Sequence, residues 1–149
     1  MKSRALLQLL IVLALIALGS IWYFSTLRQE QSLETFPATV NRDCAPWDGA
    51  AFTIMVQYDP TTVVYISIWR SPDIGFPSTF SFPDETGQVG NAYILPEPGP
   101  YTLLSGEVFF QRVDKEKPIE GRFNFISAKG VMFEGWFIAE WGDQVVYCG

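Results

Sequence analysis

Apolar positions follow two regimes along the chain. From Ala5 to Phe24 they are almost continuous, ALLQLLIVLALIALGSIWYF, with no charged residue and only Gln8 and Ser20 clearly polar. From Phe52 onward they largely alternate with polar residues, the period of a half-buried strand. Rising about 1.5 Å per residue, a helix made of the first stretch reaches roughly 30 Å, the thickness of a bilayer's hydrocarbon core. The pattern thus predicts a single transmembrane helix followed by a β-domain.

Charge orients the first element. Lys2 and Arg4 precede the apolar run, and Arg28, Glu30 and Glu34 follow it. The excess of positive charge on the N-terminal side places the N-terminus in the cytoplasm and the rest outside, in the periplasm or extracellular space. Trp22 and Tyr23 fall at the outer end, where aromatic side chains anchor at the membrane interface. Ala17-Leu18-Gly19 offers small residues at the positions a signal peptidase reads. However, apolar character continues through Ile21-Trp22-Tyr23-Phe24, longer than the roughly 7–15 residues of a signal core. The segment is therefore expected to be a retained anchor of the cytoplasmic (inner) membrane. Ser25 to Phe36 reads as a continuation of the helix that Pro37 stops. The expected division is 1–24 cytoplasmic tip and anchor, 25–43 helical stem and linker, 44–149 extracytoplasmic domain.

Within the domain, Phe52, Ile54, Val56 and Tyr58 alternate with Thr53, Met55 and Gln57 up to the turn at Asp59-Pro60, and Val63 to Trp69 is apolar on both faces, as a central strand is. Arg70 to Gln88 holds Pro72, Pro77 and Pro83 interleaved with Phe76, Phe80 and Phe82. It reads as a long loop, either functional or packed as a lid over an open core. Val89–Leu95 is a short strand. Pro96 to Pro100 cannot enter a sheet interior and reads as a surface crossing. Tyr101–Val113 is a strand with Phe109 and Phe110 on opposite faces, and Asp114 to Pro118 is a polar turn. Ile119–Ser127, Val131–Trp141 and Gln144–Cys148 complete about seven strands.

One hairpin can be assigned a register. Ile119, Gly121, Phe123 and Phe125 share a face, and so do Val131, Phe133, Gly135, Phe137, Ala139 and Trp141. Both sets face the same side only if Ser127 stands opposite Val131, leaving the loop Ala128-Lys129-Gly130, whose third residue is the glycine that a left-handed turn position requires. Phe125 then faces Phe133, Gly121 faces Phe137, Gly135 faces Phe123, and Arg122 meets Trp136 on the outside. An aromatic ring from the neighbouring strand covers each glycine. Over these strands, GRFNF and FEGWF resemble segments of small β-barrel domains of the calycin type. The expected fold is an all-antiparallel small sandwich or barrel.

Composition sharpens this picture. Of 149 residues, 48 % are apolar and 15 % aromatic, enough for one well-filled core. After Phe24 there are eight basic and sixteen acidic residues, a net of −8, which disfavours nucleic acid and anionic lipid headgroups as partners. The two cysteines, Cys44 and Cys148, lack CxxC spacing and predict one structural disulfide tying the start of the domain to its end.

There is no histidine in the chain. This removes Ser-His-Asp and Cys-His nucleophiles, imidazole zinc sites and His-ligated haem. Glu134 and Glu140 lie beside aromatics, yet six residues along a strand separate them by roughly 20 Å, against about 5–10 Å in glycosidases. The clusters Asp84-Glu85-Thr86-Gly87 and Asp114, Glu116, Glu120 have oxygen ligands but no calcium-loop spacing and read as turns. No cofactor, metal or catalytic residue is therefore expected.

Met132, Trp136 and Ile138 interrupt the polar face of their strand. With Phe76, Phe80 and Phe82 they form the candidate partner surface, unless the long loop covers them. The expected function is a non-catalytic, single-pass accessory or assembly subunit of a larger membrane complex, of the respiratory or photosynthetic kind, with other subunits and the bilayer as partners. The alternative is a lipocalin-like binder of a small ligand or glycan, using the phenylalanine-rich interior or the proline- and phenylalanine-bearing loop Arg70 to Gln88.

Overall fold

The computed structural model describes residues 33–69, 77–96, 99–114 and 117–148. The expected transmembrane helix, Trp22 and Tyr23, the stem up to residue 32, and Phe76 lie outside these residues. Among the described residues, no helix is long and apolar enough to cross a membrane. The chain divides into two compact units, Met1–Leu33 and Glu34–Gly149, of which the second is the β-domain.

Eight strands form this domain: β1 (Thr35–Cys44), β2 (Ala50–Gln57), β3 (Val63–Ile68), β4 (Ser78–Phe82), β5 (Gly90–Ile94), β6 (Thr102–Arg112), β7 (Ile119–Ser127) and β8 (Met132–Trp141). Two of them correct the expectation. β1 occupies the end of the expected stem and the whole linker, because Phe36, Ala38 and Val40 alternate inward from Pro37 and Thr39. β4 lies in the expected loop and turns Phe80 and Phe82 inward. The expected last strand, Gln144–Cys148, is irregular. Pinned by Gly142 N–H to the Val40 carbonyl at 2.8 Å and by the disulfide, it joins no ladder.

Seven strands form a closed ring in the order β1-β2-β3-β5-β6-β7-β8, with β8 returning to β1. Every ladder is antiparallel except β1–β8, which runs parallel. Parity demands this exception: strands that alternate in direction around an odd ring must meet one neighbour running the same way. β4 is an excursion between β3 and β5. It pairs with β6 at residues 106–110, directly beyond the stretch 102–104 that β5 pairs with.

The β7–β8 hairpin has the expected register. Phe125 faces Phe133, Gly121 faces Phe137, Phe123 faces Gly135 and Arg122 faces Trp136. Ser127 N–H donates to the Val131 carbonyl at 2.9 Å, and Gly130 takes the left-handed conformation at φ 79°. The ring of Phe137 covers Gly121, but Phe36 of β1, not Phe123, covers Gly135.

The ring encloses an aromatic core. Nine of the ten described phenylalanines are buried, and their rings meet edge to face, tilted or, for Phe123 and Phe125, stacked: Phe110 touches Phe52, Phe80 and Phe137, and Phe123 touches Phe36, Phe125 and Phe137. These are the favourable arrangements of aromatic quadrupoles. Tyr58 stacks on Phe36 at 4.8 Å and packs edge-on to Phe133, closing the proximal end, the one at which β1 begins. Trp141 packs on Phe52 toward the opposite, distal end, where its Nε1–H donates to the carbonyls of Asp114 (2.8 Å) and Lys117 (3.1 Å) in the β6–β7 connection.

Candidate interaction surface

With rings filling the interior, the groups available for chemistry or contact lie on the outer wall and the two ends. The interior of the ring holds a cluster of twenty buried apolar side chains. The recesses on the outside are open and shallow. One of about 350 Å³ lies above Gly106, where β6 exchanges β5 for β4 as its partner, and is lined by Ser81, Ser105, Glu107 and Asn124. Gly106 has φ 142°, and a Cβ there would strike the Asn124 carbonyl of β7. Glycine lets the two strands approach at this exchange point.

Outward-facing residues form rows across the strands. In one row Asp43 accepts from Thr53 Oγ1 at 2.8 Å, Thr53 and Ser67 share a hydrogen bond at 2.9 Å, and Ser67 faces Asn91. The next row is Thr39, Met55, Tyr65, Tyr93 and Leu103. Here the Tyr65 and Tyr93 rings stack at 4.9 Å, and burial pushes the Tyr93 phenol above its ordinary pKa, with Tyr65 adding to the effect. A third row places Glu107, Asn124 and Glu134 side by side. Two strand spacings put those carboxylates roughly 10 Å apart, on an open convex wall.

The acidic clusters behave as turns. Thr86 Oγ1 donates to Asp84 Oδ2 at 2.5 Å and Gly87 N–H to the Asp84 carbonyl at 3.3 Å. Asp59 receives the backbone N–H and hydroxyl of Thr61, both at 2.8 Å. These bonds favour the ionised form and hold both carboxyls below the usual aspartate range, the Thr61 backbone N–H contributing most at Asp59 and the Thr86 hydroxyl most at Asp84. Asp114 pairs with Lys117 and Glu120 with Arg112, each at 3.7 Å, so the second cluster divides between two partners. Among the described residues, no group of three or more acidic, cysteine or histidine side chains converges as metal ligands do.

The predicted partner surface separates. Phe80 and Phe82 are only 6 % and 4 % exposed and belong to the core, because the alternation of β4 points them through the wall. β4 lies along β6, not over β8, so Met132 and Ile138 stay 55 % and 48 % exposed. They are six residues apart on one strand, roughly 20 Å, and form two patches. Ile138 lies between Pro37 of β1 and Glu120 of β7, next to half-buried Trp136, whose ring carries the Arg122 guanidinium at 6.0 Å. Met132 faces Ile126 at the proximal end.

That proximal patch was not legible as a unit. Leu95, Tyr101, Leu103, Ile126, Val131 and Met132 are all exposed and come together only through the register of β5 to β8. Cys44 and Cys148 form the expected disulfide at the distal end, with Cα atoms 5.6 Å apart.

Compared with models of protein families, with curated proteins and with solved structures, the chain matches none.

Proposed function

We propose that this chain is a non-catalytic accessory or assembly subunit of a larger membrane complex. Residues 5–24 hold it in the bilayer and the barrel presents a docking face on the extracytoplasmic side. The observation that carries the reading is the apolar patch of Trp136, Ile138 and Pro37 across β8 and β1, which β4, the described strand of the segment that sequence alone offered as its lid, does not cover. Its neighbours Arg122, Glu120 and Glu140 form a charged rim, the layout of a small interface core with a polar edge. The packed interior supports the same reading, since a barrel filled by its own side chains acts through its outside.

The test is migration of the full chain from native membranes in mild detergent. Wild type is expected in a species of fixed, larger mass, and Ile138→Asp is expected to return to the monomer position with its thermal unfolding unchanged. A wild-type chain that runs as a monodisperse monomer, or an Ile138→Asp chain that stays in the large species, defeats the proposal.

A further inference from the structure

The sequence assigns the bilayer only to residues 5–24. We infer that the proximal end of the barrel is itself a lipid-contacting surface, with Leu95, Tyr101, Leu103, Ile126, Val131 and Met132 lying in the interfacial layer of the membrane. This rests on the reading of residues 5–24 as an anchor, and it goes beyond it by giving the barrel one membrane-facing end.

Two independent observations converge on that end. The first is segregation: these six side chains are the majority of the ten large exposed apolar side chains among the described residues, and they share one rim. The rim is continuous through Tyr93, which faces Leu103 and packs against Tyr101 at 6.0 Å, and through Ser105, which faces Ile126. Tyrosine suits this layer, because it presents an apolar ring with a polar tip that stays hydrated.

The second is connectivity. β1 begins at the proximal end, so the apolar run joins the barrel at this rim. Glu34 lies ten positions after Phe24. Even fully extended these span at most about 35 Å, no more than the length of the eleven-residue strand β6 at roughly 3.3 Å per residue. A tether of that length keeps the proximal rim at high local concentration above the bilayer, so a contact too weak to recruit the free domain still persists.

The experiment uses the full chain in phosphatidylcholine–phosphatidylglycerol vesicles. Cys44 and Cys148 are tied in the disulfide, so single cysteines introduced by Leu103→Cys, Met132→Cys and, as a distal reference, Asp143→Cys take a nitroxide label selectively. Collision with oxygen, concentrated in lipid, and with a water-soluble nickel chelate reports where each label lies. The expected result is severalfold lower nickel accessibility, and higher oxygen accessibility, at Leu103 and Met132 than at Asp143. Nickel accessibility equal at all three sites overturns the inference. So does shielding of Leu103 and Met132 from both reagents, which would mark contact with a second copy of the chain. Alkaline extraction distinguishes the two levels: a chain released from the vesicles refutes the anchor, while a retained chain with water-exposed labels refutes this inference alone.

Discussion

At the residue scale, the fold depends on where side chains are absent. A Cβ at Gly121 would meet the Phe137 ring and the Phe109 carbonyl; one at Gly135 would meet the Phe36 ring and, at 2.9 Å, the Glu34 carbonyl. Both positions let a phenylalanine lie flat across a neighbouring strand inside a narrow ring of strands, which a methyl group would prevent. Gly135→Ala is therefore expected to destabilise the domain by about 1–3 kcal/mol, the usual cost of overpacking a dense core. Replacing Phe36 with leucine creates a defect by itself but makes room for the new methyl. Hence Gly135→Ala combined with Phe36→Leu should cost clearly less than the two single changes added together. Urea denaturation of the four proteins checks this; strict additivity would mean that the ring is not what excludes a side chain at position 135.

At the scale of elements, legibility followed periodicity. β7 and β8 alternate almost without exception, so register, turn and outward pairs could be derived from the chain alone, and the loop Ala128-Lys129-Gly130 followed from keeping both apolar sets on one side. β1 was obscured because only Phe36 and Val40 are fully buried in it and Pro37 imitates a helix stop. Its strand character is imposed by two long-range ladders, to β2 and β8, that no local pattern encodes. β4 was obscured by its flanking prolines, although Phe80 and Phe82 carry the alternation. Gly130 gives the element-scale test. Its φ is 79° and a Cβ there meets nothing within 4 Å, so substitution probes the backbone and not packing. Gly130→Ala should lower stability by roughly 1 kcal/mol, the left-handed penalty of a residue with a Cβ, and Gly130→Asn by less, since asparagine tolerates that region. Denaturation midpoints at constant m-value measure both; equal losses would show that the turn is not held in this conformation.

At the scale of the whole molecule, the odd number of strands in the ring decides where the chain enters and leaves. Because β1 and β8 run in the same direction, the segment carrying the apolar run joins at the proximal end and the C-terminal tail leaves at the distal one. β1 also finishes distally, which brings Cys44 within bonding reach of Cys148 across a sequence separation of 104 residues. The pairing was legible from two cysteines and a compartment; its location was not, since it depends on a parallel seam that the alternating pattern gave no reason to expect. Closing a loop of about 100 residues stabilises a chain by roughly 4.7 kcal/mol in entropy models, and measured values commonly fall to about 2–4. The barrel itself does not need the bridge to define β1, which holds Phe36 and Val40 in the core and hydrogen-bonds on both edges. The tail after Trp141 does, having the Gly142 bond to Val40 as its other backbone attachment. Cys44→Ser with Cys148→Ser should thus lower global stability by about 2–4 kcal/mol while amide protection persists in β1, β2 and β8 and vanishes beyond Gly142. Hydrogen exchange on the double variant separates the two effects. Loss of protection throughout β1 would mean that the staple, and not the parallel seam, closes the barrel.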